Sequence, residues 1–92
     1  MEKDYTEVYV VSISWDDCNG TEFRIDSAHR NLKTAQERMN HLYESELSDF
    51  LLRNDTHKED AEYGIKEKYA YMYMKSSNFD EVRIEINTRV LY

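Results

Sequence analysis

The histidines, the cysteine and the carboxylates are where any chemistry in this sequence must come from. A metal site needs several donors converging on one point, held there by a further layer of hydrogen bonds. His41 and Glu44 stand three residues apart, and His57 is followed by Glu59 and Asp60. Both sets lie in strongly charged sequence and each offers a single histidine, so they read as solvated polar surface, and no metal or cofactor is expected. Asp16, Asp17 and Asn19 have the look of a calcium loop's first half, but the glycine and the distal glutamate fall out of register, so this cluster reads as a turn. Cys18 has no histidine or basic neighbour in sequence to lower its pKa. Nucleophile elbows, phosphate-cradling glycine loops and zinc spacings are absent. Nineteen acids always offer carboxylate pairs, yet nothing singles one out. The expectation is a protein that is not an enzyme.

Two groups of residues suit binding instead. Between Glu44 and Glu62 stand Glu44, Glu46, Asp49, Asp55, Glu59, Asp60 and Glu62, against Arg53 and Lys58. On a helix end and a following loop these acids would project a negative strip, able to occupy a basic groove that otherwise holds nucleic acid. The plainer reading is a solubilising surface. The second group is Tyr69, Tyr71 and Tyr73, on one face of an alternating run. Tyrosine and arginine combine large contact area with a polar handle and are enriched where proteins meet. Tyrosines paired across strands for sheet stability are the structural alternative.

These groups need elements to hold them. Asn31 to Arg53 reads as one long amphipathic helix capped by Asn31, with Leu32, Ala35, Met39, Leu42, Tyr43, Leu47, Phe50 and Leu51 forming one stripe. At 1.5 Å per residue it is roughly 33 Å long, longer than a typical strand, so its last turn is expected to overhang the sheet. Glu7 to Trp15 alternates as a strand, with Tyr9, Val11, Ile13 and Trp15 on one face and Val8, Val10, Ser12 and Ser14 on the other. A shorter strand carries Phe23 and Ile25. A three-residue Cys18-Asn19-Gly20 loop would pair Trp15 with Phe23 and bring the apolar residues of both strands to one face, which a two-residue Asn19-Gly20 turn would not. Asn54 to Gly64 reads as a loop. Ile65 to Lys75 reads as a strand, with Ala70, Met72 and Met74 opposite the tyrosines, and Ser76 to Asp80 as a turn. Glu81 to Tyr92 alternates most cleanly, with Val82, Ile84, Ile86, Thr88, Val90 and Tyr92 inward. Met1 to Thr6 reads as a frayed end.

The order is β-β-α-β-β: an α+β domain spanning residues 1–92, with a four-stranded, mostly antiparallel sheet and one long helix on one face. The other face should carry some of Val8, Val10, Tyr69, Tyr71, Tyr73, Arg24, Arg83 and Arg89, unless the alanine-and-methionine face of the third strand is the open one.

Composition narrows the function classes. Twelve bases give a net charge of -7, which disfavours direct binding to nucleic acid or to an anionic membrane surface. Aromatic residues make up 13%, enough to build a core and to argue against disorder. One cysteine excludes an internal disulfide, and neither a signal-peptide layout nor a membrane-length apolar run is present, so a cytoplasmic protein is expected.

The segments Val8 to Trp15, Phe23 to Ile25, and Asn31, Leu32 and Ala35 resemble the opening of a loose group of small phage and bacterial accessory proteins of unknown function. The resemblance covers most of the chain as a fold signature and brings no catalytic residues. It implies an accessory protein of a mobile element or its host, and small acidic proteins of this kind include anti-CRISPR inhibitors that act by stoichiometric binding. The expectation is therefore an acidic protein-binding inhibitor that blocks a nucleic-acid-binding surface of a host defence enzyme, working in the bacterial cytoplasm. The alternative is a homodimeric structural or regulatory module that associates through its tyrosine face.

Overall fold

Two twelve-residue strands, β1 (Thr6–Asp17) and β5, residues Asp80–Leu91, run antiparallel through the middle of the sheet, paired from Thr6 opposite Leu91 to Asp17 opposite Asp80. The computed structural model of the chain describes residues 6–17, 19–75 and 80–91. Outside β1 lies β2 (Gly20–His29), and beyond β5 lie β4 (Tyr69–Met74) and β3 (Ala61–Ile65), giving the order β2-β1-β5-β4-β3 with every pair antiparallel. The helix α1 (Leu32–Arg53) crosses one face. Asn31 caps it, its side-chain oxygen accepting from the Thr34 amide at 2.9 Å.

The core is built where two periodicities meet. From the sheet come Val11 and Ile13 of β1, Val82, Ile84 and Ile86 of β5, and Ala70, Met72 and Met74 of β4. From α1 come Ala35, Met39 and Phe50, all buried, flanked by half-buried Leu32, Leu42, Tyr43, Leu47 and Leu51. The helical stripe expected from spacing is thus the stripe that packs. The alanine-and-methionine face of β4 faces α1, so the tyrosine face is the uncovered one.

Four expectations are corrected. The sheet has five strands, because the stretch read as a loop holds a 3₁₀ turn, Asp55–Asp60, followed by β3, which pairs with β4 from Ala61 opposite Met74 to Ile65 opposite Ala70. Gly64 and the charged residues around Tyr63 hide its alternation, and the pairing falls to an edge strand of five residues. The last turn of α1 does not overhang: a twelve-residue strand spans about 40 Å, so the sheet outruns the helix. It follows that Thr88 and Val90, expected inside, lie exposed beyond the helix. The strand containing Phe23 and Ile25 is ten residues long and takes in Ser27 to His29, expected as a link.

The fourth correction is the register of the first hairpin. Asp17 pairs with Gly20, so Trp15 faces Glu22 and Ser14 faces Phe23. Gly20 adopts the positive φ of 130° that closes so tight a turn. Cys18 lies outside the described residues, as do residues 76–79, part of the stretch expected as a turn, and Tyr92, expected inward. Phe23 and Ile25 consequently point to the uncovered face, and Glu22 and Arg24 to the helix side. Matching apolar faces was the wrong criterion here, because the first half of β2, Gly20 to Ile25, is exposed throughout and no residue of the strand is fully buried.

Phe50 fills the core beneath the end of α1. Phe50→Ala should lower stability by about 3–5 kcal/mol, read as a shift of the urea midpoint with an unchanged denaturant slope.

Candidate docking surfaces

The uncovered face collects side chains from all five strands. Phe23 and Ile25 stand 64% and 63% exposed at the β2 end. Their cross-strand neighbours on β1 are Ser14 and Ser12, too small to cover them. Val8 and Val10 of β1 share this face, and Arg83 and Arg89 of β5 cross its middle. At the other end Tyr69, Tyr71 and Tyr73 form a row, neighbouring ring centroids 6.2 and 6.1 Å apart. The row has its own supports. The Tyr71 ring lies over Gly64, where a Cβ would meet its hydroxyl oxygen at 2.8 Å. Tyr73 donates to Glu62, and that carboxylate pushes the phenol above its ordinary range. Arg24, expected on this face, lies instead over the Trp15 ring on the helix side, 5.3 Å from the centroid. Phe23 and Ile25 were not expected here. The signal for them was Ser12 and Ser14, whose small side chains leave room beside them on the open face of β1.

The seven acids of the expected strip do not share one surface. Glu44, Asp49, Asp55 and Glu59 are exposed on the helix and the 3₁₀ turn. Glu46 accepts from the Trp15 indole nitrogen at 2.8 Å and ties α1 to β1. The Asp60 carbonyl accepts from the Lys75 amide at 2.8 Å. Glu62 is on the far face of the sheet, under Tyr73. Asp55 is paired with Lys58 at 3.0 Å. The strip is therefore divided between two sides of the molecule.

A cleft of about 630 Å³ opens at the tip of the first hairpin, lined by Trp15, Asp16, Asp17, Glu22, Arg53 and Asp80 among others. Most of its polar groups are engaged in structure. Arg53 and the Asn54 amide both donate to Asp80, at 3.0 and 2.9 Å. Thr21 donates to Asp16 at 3.1 Å, and the Asn19 amide to Asp17 at 2.8 Å, closing the turn. These contacts offset the like charges that face each other where Asp17 pairs with Asp80 and Asp16 with Glu81. His57, Glu59 and Asp60 come together more closely than their sequence suggested, one ligand atom of each lying within 4.8 Å of the others. His57 and Glu59 are exposed, and His41 and Glu44 stand apart from them on α1.

Comparison with protein-family models, with curated proteins and with solved structures finds no match to this chain. No helix among the described residues is long and apolar enough to cross a membrane.

Asp26 is the most engaged carboxylate of β2. Arg38 donates to both its oxygens, at 2.7 and 2.8 Å. The guanidinium holds this carboxyl below its ordinary range, against partial burial that pushes it up. A depressed folded-state pKa adds stability that is fully present above the unfolded value and is lost as pH falls through the folded one. Asp26→Asn should therefore cost about 1 kcal/mol near neutral pH, the upper end for a partly exposed pair. The gap from wild type should close as the buffer is acidified, read from urea midpoints along a pH series.

Proposed function

We propose that this chain is a small, non-enzymatic protein-binding module that presents the uncovered face of its sheet to a protein partner. The observation that carries this is the exposure of Phe23, Ile25 and Tyr69 on one side of a sheet whose other side alone is covered by a helix. Exposed apolar area rimmed by arginines and tyrosines is the composition that partners bury.

A second reading draws on the exposed Glu44, Asp49, Asp55 and Glu59. In it the chain is an acidic inhibitor, anti-CRISPR-like and carried by a phage or other mobile element, that occupies a basic nucleic-acid-binding groove of a host defence enzyme in the bacterial cytoplasm. Electrostatic complementarity of that kind speeds association and weakens with salt. The fold-level resemblance to small phage and bacterial accessory proteins is in keeping with it.

One experiment separates the two. The tagged protein is used to capture partners from a bacterial lysate at low and high salt, alongside two variants. Under the open-face reading, Tyr71→Ala with Tyr73→Ala weakens a captured partner at least tenfold, about 1.4 kcal/mol or more, with little salt dependence. Under the acidic reading that variant binds normally. Charge reversal of Glu44, Asp49 and Glu59 to Lys then releases a nucleic-acid-processing enzyme that high salt also removes. A partner indifferent to both variants would reject both surfaces.

A further inference from the structure

We infer that the free edge of β2 is a self-pairing surface, through which two copies of this chain join into one continuous ten-stranded antiparallel sheet. This goes beyond the partner-binding proposal, since it uses a sheet edge and residues on the helix side.

Among the described residues β2 pairs with β1 alone, so its outer backbone groups face solvent. Natural edges are blunted by shortness, by lysine or proline, or by a bulge in mid-strand. The other edge strand, β3, is five residues long and carries Gly64. β2 has ten residues and neither lysine nor proline. It does have a bulge, where Val11 pairs with Ser27 and Ser12 with Ile25, leaving Asp26 as the extra residue. Asp26 is pinned there by Arg38 and by the Ser27 hydroxyl, which donates at 2.8 Å. The bulge therefore ends the regular part of the edge at Ile25, and the hairpin turn ends it at Gly20. What lies between is Thr21-Glu22-Phe23-Arg24-Ile25.

That segment is complementary to itself. A two-fold axis through Phe23, normal to the sheet, sets Glu22 opposite Arg24 of the second copy and Arg24 opposite its Glu22. Thr21 then faces Ile25, and the two Phe23 side chains meet. Glu22 and Arg24 are on the helix side, so both ion pairs form there. Phe23 and Ile25 are on the open side, beside the space left by Ser14 and Ser12. Shifting the axis to Glu22 or to Arg24 sets like charges against each other, which is unfavourable directly across strands. The arrangement is isologous and closed, so it stops at two copies. α1 packs chiefly over β1, β5 and β4 and leaves the edge clear. Four to five exposed residues on each side thereby gain backbone partners and cross-strand neighbours together.

The test is mass by size-exclusion light scattering on the isolated protein, from micromolar to near-millimolar concentration. The expected result is a concentration-dependent dimer, twice the 11.1 kDa chain mass. Arg24→Glu faces Glu22 with a second acid and should raise the dimer dissociation constant by roughly tenfold or more, as two symmetric pairs turn repulsive. Glu22→Arg does the same with two bases and leaves the stacking of Arg24 on Trp15 in place, so it serves if Arg24→Glu fails to fold by circular dichroism. Combining both changes restores opposite charges and should restore the dimer. A wild-type monomer throughout overturns the proposal. So does a dimer that ignores both single changes, which would put self-association on another face. Single changes that dissociate the dimer without rescue by the combination overturn the register.

Discussion

One helix cannot cover five strands, and most of this structure follows from that mismatch. Strands lie about 4.8 Å apart, so five of them span roughly 19 Å, while a helix with its side chains is about 10–12 Å across. The core therefore concentrates under α1, where β1, β5 and β4 supply the buried residues. β2 and β3 lie at its margins, and the half of β2 from Gly20 to Ile25 is exposed throughout. A stretch of edge strand with no buried face to satisfy can carry charged residues on its helix side and apolar ones on its open side. The molecule is correspondingly flat, 56 × 24 × 16 Å along its principal axes.

A single helix on a broad sheet could also slide or rotate, since apolar contact is not directional. Polar ties at both ends set its position. Near the start of α1, Arg38 holds Asp26 of β2 on one side, and the Gln36 amide donates to the Glu67 carbonyl between β3 and β4 on the other. Near its end, Glu46 takes the Trp15 indole, while Arg53 and Asn54 close on Asp80. Each tie is worth little against the core in free energy. Their geometric value is greater, because together they reach three of the five strands and the connection between the other two.

The residues that were legible in sequence are those whose periodicity reflects burial. The eight-residue stripe from Leu32 to Leu51, the inward face of β1 and the run from Val82 to Ile86 read correctly because each is matched by a covering layer. The same logic failed where no layer covers the strand. Phe23 and Ile25 alternate as if they were core, but their direction is set by the pairing of Asp17 with Gly20, and one residue of register moves every side chain to the other face. β3 escaped notice because Glu62, Tyr63 and Gly64 carry no apolar rhythm, and its strand character comes from pairing with β4. Among the candidate binding residues, the tyrosine row was legible from its spacing alone. The acidic run was legible as composition but not as a surface, since proximity in sequence did not keep Glu46 and Glu62 on one side.

The two long strands β1 and β5 in the middle of the sheet are also the first and the last of those described, with β2, α1, β3 and β4 between them. Pairings so distant in sequence are slow to form, because the closure entropy of the intervening chain comes before any reward from contact. During synthesis the helix stripe and the inner face of β1 therefore wait, uncovered, until β5 has left the ribosome. The hairpin of β1 and β2 can close early and lend β1 one neighbour. Its other edge then stands open as a template for the wrong strand, and in a crowded cell that interval makes nascent copies of this chain candidates for chaperone capture.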